Sequence, residues 1–392
     1  MTPAIPMIKL MKSTFHDETA TKRALADFIL GAKTLSMGEE CARFERSFAA
    51  WHQRRRALFV TSGSAANLVL LQALLNVGRL RRGDRVGFSA LTWATNVMPI
   101  IQLGLVPVAL DCELNTLNVS PRTLAAGGEL RCLFLTNVLG FCDDLPGIAA
   151  ACRERNIVLL EDNCESLGSR IGGRLLGNYG LASTFSFFVG HHMSTIEGGM
   201  VCTDDEELAD AATMVRAHGW DRNLPAERQR KWRDEHRVDD FYAKYTFFDL
   251  AYNARPTEIN GFIGNLQLPH LPEIVARRFA NYKRFAAAGR RNGGMLPIRD
   301  GHMELISNFA MPVVFRERQG FERTRQAFTD AHIEIRPIIA GDMTRQPFYR
   351  KYVKTPEPCP NSGLVHSQGF YFGNNPDLDE EELKTIERAL AA

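Results

Sequence analysis

Thr184-Phe-Ser-Phe-Phe-Val-Gly-His-His-Met-Ser-Thr-Ile-Glu-Gly-Gly199 is the stretch that decides how this chain is read. An apolar run ending in Ser-Phe, a short loop, and a Gly-Gly pair entering a second apolar run together spell strand, loop, strand. The loop carries His191 and His192. Imidazole titrates nearer to neutrality than any other side chain, so a histidine in such a loop is a candidate general base. In an extended segment the two neighbours point to opposite sides. If His191 is that group, His192 points elsewhere and is structural.

Working outward, short apolar runs alternate with helical patterns through the first two-thirds of the chain. Ala57–Val60, Arg85–Ser89, Val106–Leu110, Cys132–Thr136, Ile157–Leu160, Ser183–Phe188 and Met200–Thr203 read as buried strands. Ala65–Leu75 and Leu145–Arg155 carry helical spacing between them. The alternation predicts an α/β fold with a mostly parallel, seven-stranded central sheet covered on both faces. Catalytic groups then gather at the carboxyl ends of the strands. From about residue 271 the rhythm changes: Asn308–Phe315, Ile333–Pro337 and Gly369–Gly373 read as strands, Phe321–Ala331 and Asp379–Ala391 as helices. The expected organisation is a large α/β domain over 1–270 and a smaller α+β domain over 271–392. The mixed-charge run 226–240 has no apolar periodicity and is expected to be a solvated loop.

Composition narrows the function. A net charge of +2 on 392 residues is too small, and too evenly spread, to argue for nucleic acid or for an anionic membrane surface. No stretch approaches 18 consecutive apolar residues, and Met1-Thr-Pro-Ala-Ile-Pro-Met7 lacks the basic start and apolar core of a signal peptide. The eight cysteines are scattered, with no C-x-C or C-x-x-C pair, so no metal site or iron–sulfur cluster is expected. A cytoplasmic protein with reduced thiols fits that pattern.

Three further strand ends carry chemistry. Thr61-Ser-Gly-Ser-Ala-Ala-Asn67 follows one strand and opens a helix, where free backbone N–H groups suit a phosphate; Ser64 reads equally well as a plain helix cap. Leu159-Leu-Glu-Asp-Asn-Cys-Glu-Ser-Leu-Gly168 places Asp162 and Glu165 at the end of another, as ring-binding carboxylates or as turn residues. Leu91-Thr-Trp-Ala-Thr95 puts Trp93 after a third, either stacking on a ligand ring or packed.

Taken together, these motifs resemble the DegT/DnrJ/EryC1/StrS family of pyridoxal-phosphate sugar enzymes, over nearly the whole chain. The match includes Arg216-Ala-His-Gly-Trp-Asp-Arg-Asn-Leu-Pro225 and Tyr252-Asn-Ala-Arg-Pro256. The resemblance implies fold type I, the aspartate-aminotransferase-like architecture, and assigns roles by position. His191 stands where family members carry the lysine that binds the cofactor covalently. Asp162 meets the ring nitrogen, Trp93 stacks on the ring, and Glu165 contacts a ring or substrate hydroxyl. Ser62, Gly63, Ser64 and Ser186 surround the phosphate, and Asn253 reaches it from the second subunit of a homodimer. His218, Trp220 and Arg222 lie near the bound sugar.

Histidine in place of lysine keeps a proton carrier and removes the covalent anchor. The implied activity is a 3-dehydratase acting on a nucleotide-linked 4-keto-6-deoxyhexose, the GDP-linked mannose derivative foremost. Its cofactor is non-covalent pyridoxal or pyridoxamine phosphate, L-glutamate is the amino donor, and ammonia is released. A dehydratase branch with a [2Fe-2S] cluster does not fit the scattered cysteines. A sugar aminotransferase would need a lysine in 184–199, where there is none. A non-catalytic, regulatory cofactor-binder has no use for Asp162, Trp93 and the phosphate turn together.

Overall fold

The computed structural model describes residues 6–392; residues 1–5, most of the Met1–Met7 stretch, lie outside it. Among the described residues twelve strands form: β1 (Arg56–Val60), β2 (Arg85–Ser89), β3 (Val106–Leu110), β4 (Cys132–Thr136), β5 (Val158–Asp162), β6 (Arg170–Ile171), β7 (Arg174–Leu175), β8 (Ala182–Ser186), β9 (Gly199–Thr203), β10 (Ala310–Val314), β11 (Ile335–Pro337) and β12 (Gly369–Gly373). Seven build one sheet in the order β1-β9-β8-β5-β4-β2-β3. The five from β3 to β8 pair in parallel, and β9 runs antiparallel to both β8 and β1. Every residue of β4, β8 and β9 is buried. Strands covered on both faces lose their alternation and appear as continuous apolar runs, which is how the sequence shows them.

Register lines up the chemistry. At the end of β5, Asp162 sits opposite Thr136 of β4 and Thr184 of β8. Gly199 pairs with Val60 on one side and Ser186 on the other. A Cβ on Gly199 would come within 2.2 Å of the Ser62 carbonyl oxygen, so the Gly-Gly signal marks where β9 passes beneath the turn after β1. The run Ser183–Phe188 is strand only to Ser186; Phe188 already stands in the loop, 41% exposed.

The three later strands form an antiparallel sheet, β10-β12-β11, packed by the helices Leu271–Gly289, Arg318–Asp330 and Glu380–Ala391. Its apolar core is continuous with the central sheet: Leu110, Leu133 and Phe141 belong to the same cluster as Phe285, Phe309 and Phe370. The N-terminal segment crosses to this region, where Ile8 pairs with Ile333 and the Leu10 N–H donates to Glu334 Oε2 at 2.9 Å.

The charged run near 230 is not a loop. Ala226–His236 is a helix with no buried residue, followed by the short helix Asp240–Ala243. Glu, Arg, Gln and Lys are good helix formers, and a helix that buries no face leaves no apolar period to read. Arg233 ties it down, its Nε 2.6 Å from the fully buried Asp221.

Candidate active site

A cavity of about 420 Å³ opens at the carboxyl ends of the central strands, roofed by β11, β12 and the N-terminal segment. Ser62, Gly63, Ser64, Trp93, Asp162, Glu165, Ser186 and His191 all line it. The motifs thus converge although they are spread over some 130 positions of sequence.

The helix Gly63–Asn76 aims its N-terminus into this cavity. Its cap is Ser62, whose Oγ accepts from the Ala65 N–H at 3.0 Å, and not Ser64, whose Oγ lies 3.2 Å from Thr95 Oγ1. The first-turn N–H groups of a helix are free donors with a positive dipole end behind them. A Cβ on Gly63 would meet Ser186 Cβ at 2.7 Å, so glycine allows the turn to close against the end of β8 and bring both serines to one wall.

Asp162 is 3% exposed and fully engaged. Its Oδ2 accepts from Asn67 Nδ2 at 2.9 Å and Asn96 Nδ2 at 2.8 Å, and its Oδ1 from the Cys164 N–H at 2.9 Å. Three donors and no acceptor converge on its two oxygens. Glu165 is the opposite case: burial, with Asp162 adding to it, pushes its carboxyl up to about 8, against one N–H bond from Leu139 at 2.8 Å. At neutral pH it keeps its proton and is a donor. Two acids three residues apart therefore present opposite hydrogen-bonding characters.

The His191 ring lies 5.9 Å from that of Phe188 and 5.1 Å from that of Phe309. Burial pushes the imidazole down to about 4; the Asp162 charge opposes this and the Arg278 charge adds to it. It is neutral at pH 7, the form that accepts a proton, and its Nδ1 has no hydrogen-bond partner among the described residues. His192 turns away although the segment is not extended: 3% exposed, its Nε2 lies 3.1 Å from the Ser307 carbonyl oxygen. Trp93, 54% exposed, stands at the rim.

Asn253, His218, Trp220 and Arg222 do not line the cavity. They form a surface patch of their own, in which Ala217 and Asn253 pair as a β-bridge and the Arg222 guanidinium lies 4.1 Å from the Trp220 ring. The exposed Tyr245 and Phe247 flank it. Conversely, the sequence reading missed Asn67, Asn96, Thr136, Phe309, Arg336 and Tyr371 as cavity residues. Only Asn67 had a local signal, a polar side chain within the quoted turn-and-helix motif Thr61–Asn67.

These residues fit pyridoxal phosphate. The N-terminal turn and Ser186 suit its phosphate, Asp162 suits a protonated ring nitrogen, and Trp93 offers an aromatic face. Among the described residues no lysine lines the cavity to bind it covalently.

The chain belongs to the DegT/DnrJ/EryC1/StrS aminotransferase family, which residues 16–391 match. It is 33% identical over 357 residues to GDP-4-keto-6-deoxy-D-mannose 3-dehydratase of Escherichia coli O55:H7, covering 88% of this chain and 90% of that one. Its fold superposes with a TM-score of 0.89 on the E. coli GDP-4-keto-6-deoxy-D-mannose-3-dehydratase with bound hydrated PLP, at 30% identity and over 98% of this chain and 100% of that one. The same score, identity and coverage hold for a GDP-4-keto-6-deoxymannose-3-dehydratase structure with a trapped PLP-glutamate geminal diamine.

Proposed function

We propose that this chain is a pyridoxal/pyridoxamine-phosphate-dependent 3-dehydratase of a nucleotide-linked 4-keto-6-deoxyhexose, with GDP-4-keto-6-deoxy-D-mannose the first substrate to test and L-glutamate the amino donor. One observation carries this reading: a neutral histidine, not a lysine, faces the Asp162 carboxylate in a cavity that no lysine lines. The family membership and the similarity to named 3-dehydratases support it.

When bound, the cofactor supplies an electron-accepting ring and the amine that attaches to the sugar's 4-keto carbon. Asp162 holds the proton on the ring nitrogen. Ser62, Gly63, Ser64 and Ser186 donate to the phosphate, Trp93 covers a ring face, and Glu165 donates to an oxygen of the ring or the sugar. His191 accepts a proton and returns it to the departing C3 oxygen, so that water leaves. Having no amine, His191 cannot capture the cofactor, and the amino sugar is free to lose ammonia to water. Arg336, the one guanidinium lining the cavity among the described residues, suits an anionic co-substrate such as glutamate.

The reading includes a homodimer in which Asn253 and the His218, Trp220 and Arg222 patch serve the partner's cavity, which explains why a motif so close to a sugar-enzyme signature stands outside its own. A cytoplasmic location fits the eight free thiols. Among the described residues no helix is long and apolar enough to cross a membrane.

The test supplies glutamate with GDP-, dTDP-, CDP- and UDP-linked 4-keto-6-deoxy sugars. The expected outcome is 2-oxoglutarate, ammonia and a sugar product lighter by one oxygen. A 4-amino sugar without ammonia would make the chain an aminotransferase; no reaction with any sugar would leave it a cofactor-binder.

A further inference from the structure

Arg278 projects from the helix Leu271–Gly289 into the seam between the His191 loop and the later sheet, and it is 5% exposed. No carboxylate lies within ion-pair distance of it among the described residues. Its partners are carbonyls: Nη1 donates to Asn374 O and, at 3.3 Å, to Phe309 O, and Nη2 donates to His191 O at 3.1 Å. Burial pushes its guanidinium down to about 9, so it still carries its charge at neutral pH. Burying an unpaired cation is costly, and a long apolar side chain would fill the same space.

Its partners show what the cation does there. His191 O belongs to the residue read as the proton carrier. Phe309 O belongs to the residue whose ring packs 5.1 Å from that imidazole. Asn374 O follows directly on β12. One planar fork thus fixes the two backbone segments whose side chains set the His191 ring, as a bidentate guanidinium does well and an ammonium does not.

We propose that Arg278 is a positioning residue for His191, its fork holding the His191 and Phe309 carbonyls so that the imidazole faces the cavity floored by Asp162. The proposal rests on the reading of His191 as the proton carrier. The buried charge also acts on the imidazole through space. The titratable groups that share a cavity wall with His191 are the acids Asp162, Glu165, Glu197, Glu334 and Asp377, the cations Arg336 and Arg278, the histidines His16 and His192, and Tyr371 and Cys164. Arg278 is the buried cation among them, and it works against protonation.

Two substitutions separate fork from charge. Arg278→Gln keeps an N–H donor and removes the charge; Arg278→Lys keeps the charge and loses the fork. The His191 imidazole is titrated directly by ¹⁵N NMR without substrates, alongside kcat and KM. Arg278→Gln should raise the His191 midpoint by about half a pH unit or more, moving the acid limb of kcat/KM the same way. Arg278→Lys should leave the midpoint in place and lower kcat roughly tenfold, with KM within about twofold. The proposal fails if both variants fold and keep the wild-type midpoint and kcat. It fails equally if neither folds, since Arg278 is then a brace of the core. Should the wild type turn over no nucleotide sugar, the dehydratase reading falls, and the midpoint in Arg278→Gln still decides this proposal.

Discussion

The floor of the cavity and the patch around Trp220 carry equally recognisable motifs, yet they are built differently. The floor is held by its own chain: Asp162 by Asn67 and Asn96, Gly63 against Ser186, Gly199 under Ser62. Those contacts fix each side chain where a ligand would meet it. In the patch, aromatic rings and guanidinium groups stack on one another with Tyr245 at 78% and Phe247 at 57% exposure, and none of its side chains reaches the cavity. A motif can therefore be complete in sequence without its residues meeting at the cavity. Self-held floor and open patch make different predictions.

The floor predicts the largest effect. His191→Asn should bind the cofactor as the wild type does, yet lose about 10³-fold in ammonia release or more, within the range for removing a general acid–base group. Unchanged turnover would pass the role to another histidine, His218 first. His191→Lys should instead gain a borohydride-reducible link to pyridoxal phosphate, a link that mass spectrometry should not find at any lysine of the wild type. The pH profile has a definite sign. Because burial depresses the His191 pKa, the base form persists on mild acidification, and kcat/KM should fall only as the pH approaches about 4. An acid limb at the ordinary histidine pKa would mean that the imidazole is solvated during turnover.

Next comes Asp162→Asn, which turns a threefold acceptor into a group with a single acceptor oxygen and leaves Asn67 and Asn96 competing for it. Losing charged hydrogen bonds at a buried site costs roughly 1.5–3 kcal/mol, so cofactor affinity should drop about tenfold to a hundredfold. Turnover should fall further, since a neutral amide cannot hold a proton on the ring nitrogen. A variant with wild-type affinity and rate would reduce Asp162 to a turn residue.

The contrast also explains what was legible in the sequence. Strands such as Val106–Leu110 and Cys132–Thr136 could be bounded to the residue because burial on both faces leaves uninterrupted apolar runs. Asp162 was legible because it ends such a run, and His191 because it stands in the loop after one, where the family resemblance puts a lysine. Asn96 was not, since its bond to Asp162 spans 66 positions and nothing local announces it. Arg336 and Tyr371 come from an antiparallel sheet whose approach to the cavity is a matter of tertiary packing. The helix Ala226–His236 escaped because it has no apolar face to give it a period.

The patch predicts a gain of activity. If Arg222 and Asn253 serve a partner's cavity, then His191→Asn and the double variant Arg222→Ala/Asn253→Ala, each inactive alone, should complement when mixed and allowed to exchange subunits. In each mixed dimer one of the two sites would hold every native residue. Random exchange should therefore restore about a quarter of wild-type activity. No recovery, with exchange verified by native mass spectrometry, would mean that the patch acts within its own chain or not at all.

The smallest effect is expected at the rim, where floor and patch come nearest in character. Trp93 is placed by the floor's strand ends, but like the patch it is 54% exposed. An exposed indole loses less on truncation than a buried one, because its solvent-facing side contributes little. What remains is one stacked face, worth about 1 kcal/mol. Trp93→Ala should thus weaken cofactor retention roughly fivefold, read by equilibrium dialysis of pyridoxal phosphate, with kcat at saturating cofactor nearly unchanged. Trp93→Phe should recover most of the loss, since the phenyl ring keeps the stacked face. A loss of a hundredfold or more would mean that the indole is enclosed in the working enzyme, and the partner's patch would be what encloses it. No change in affinity would take Trp93 off the cofactor altogether and return it to a residue that merely packs at the mouth.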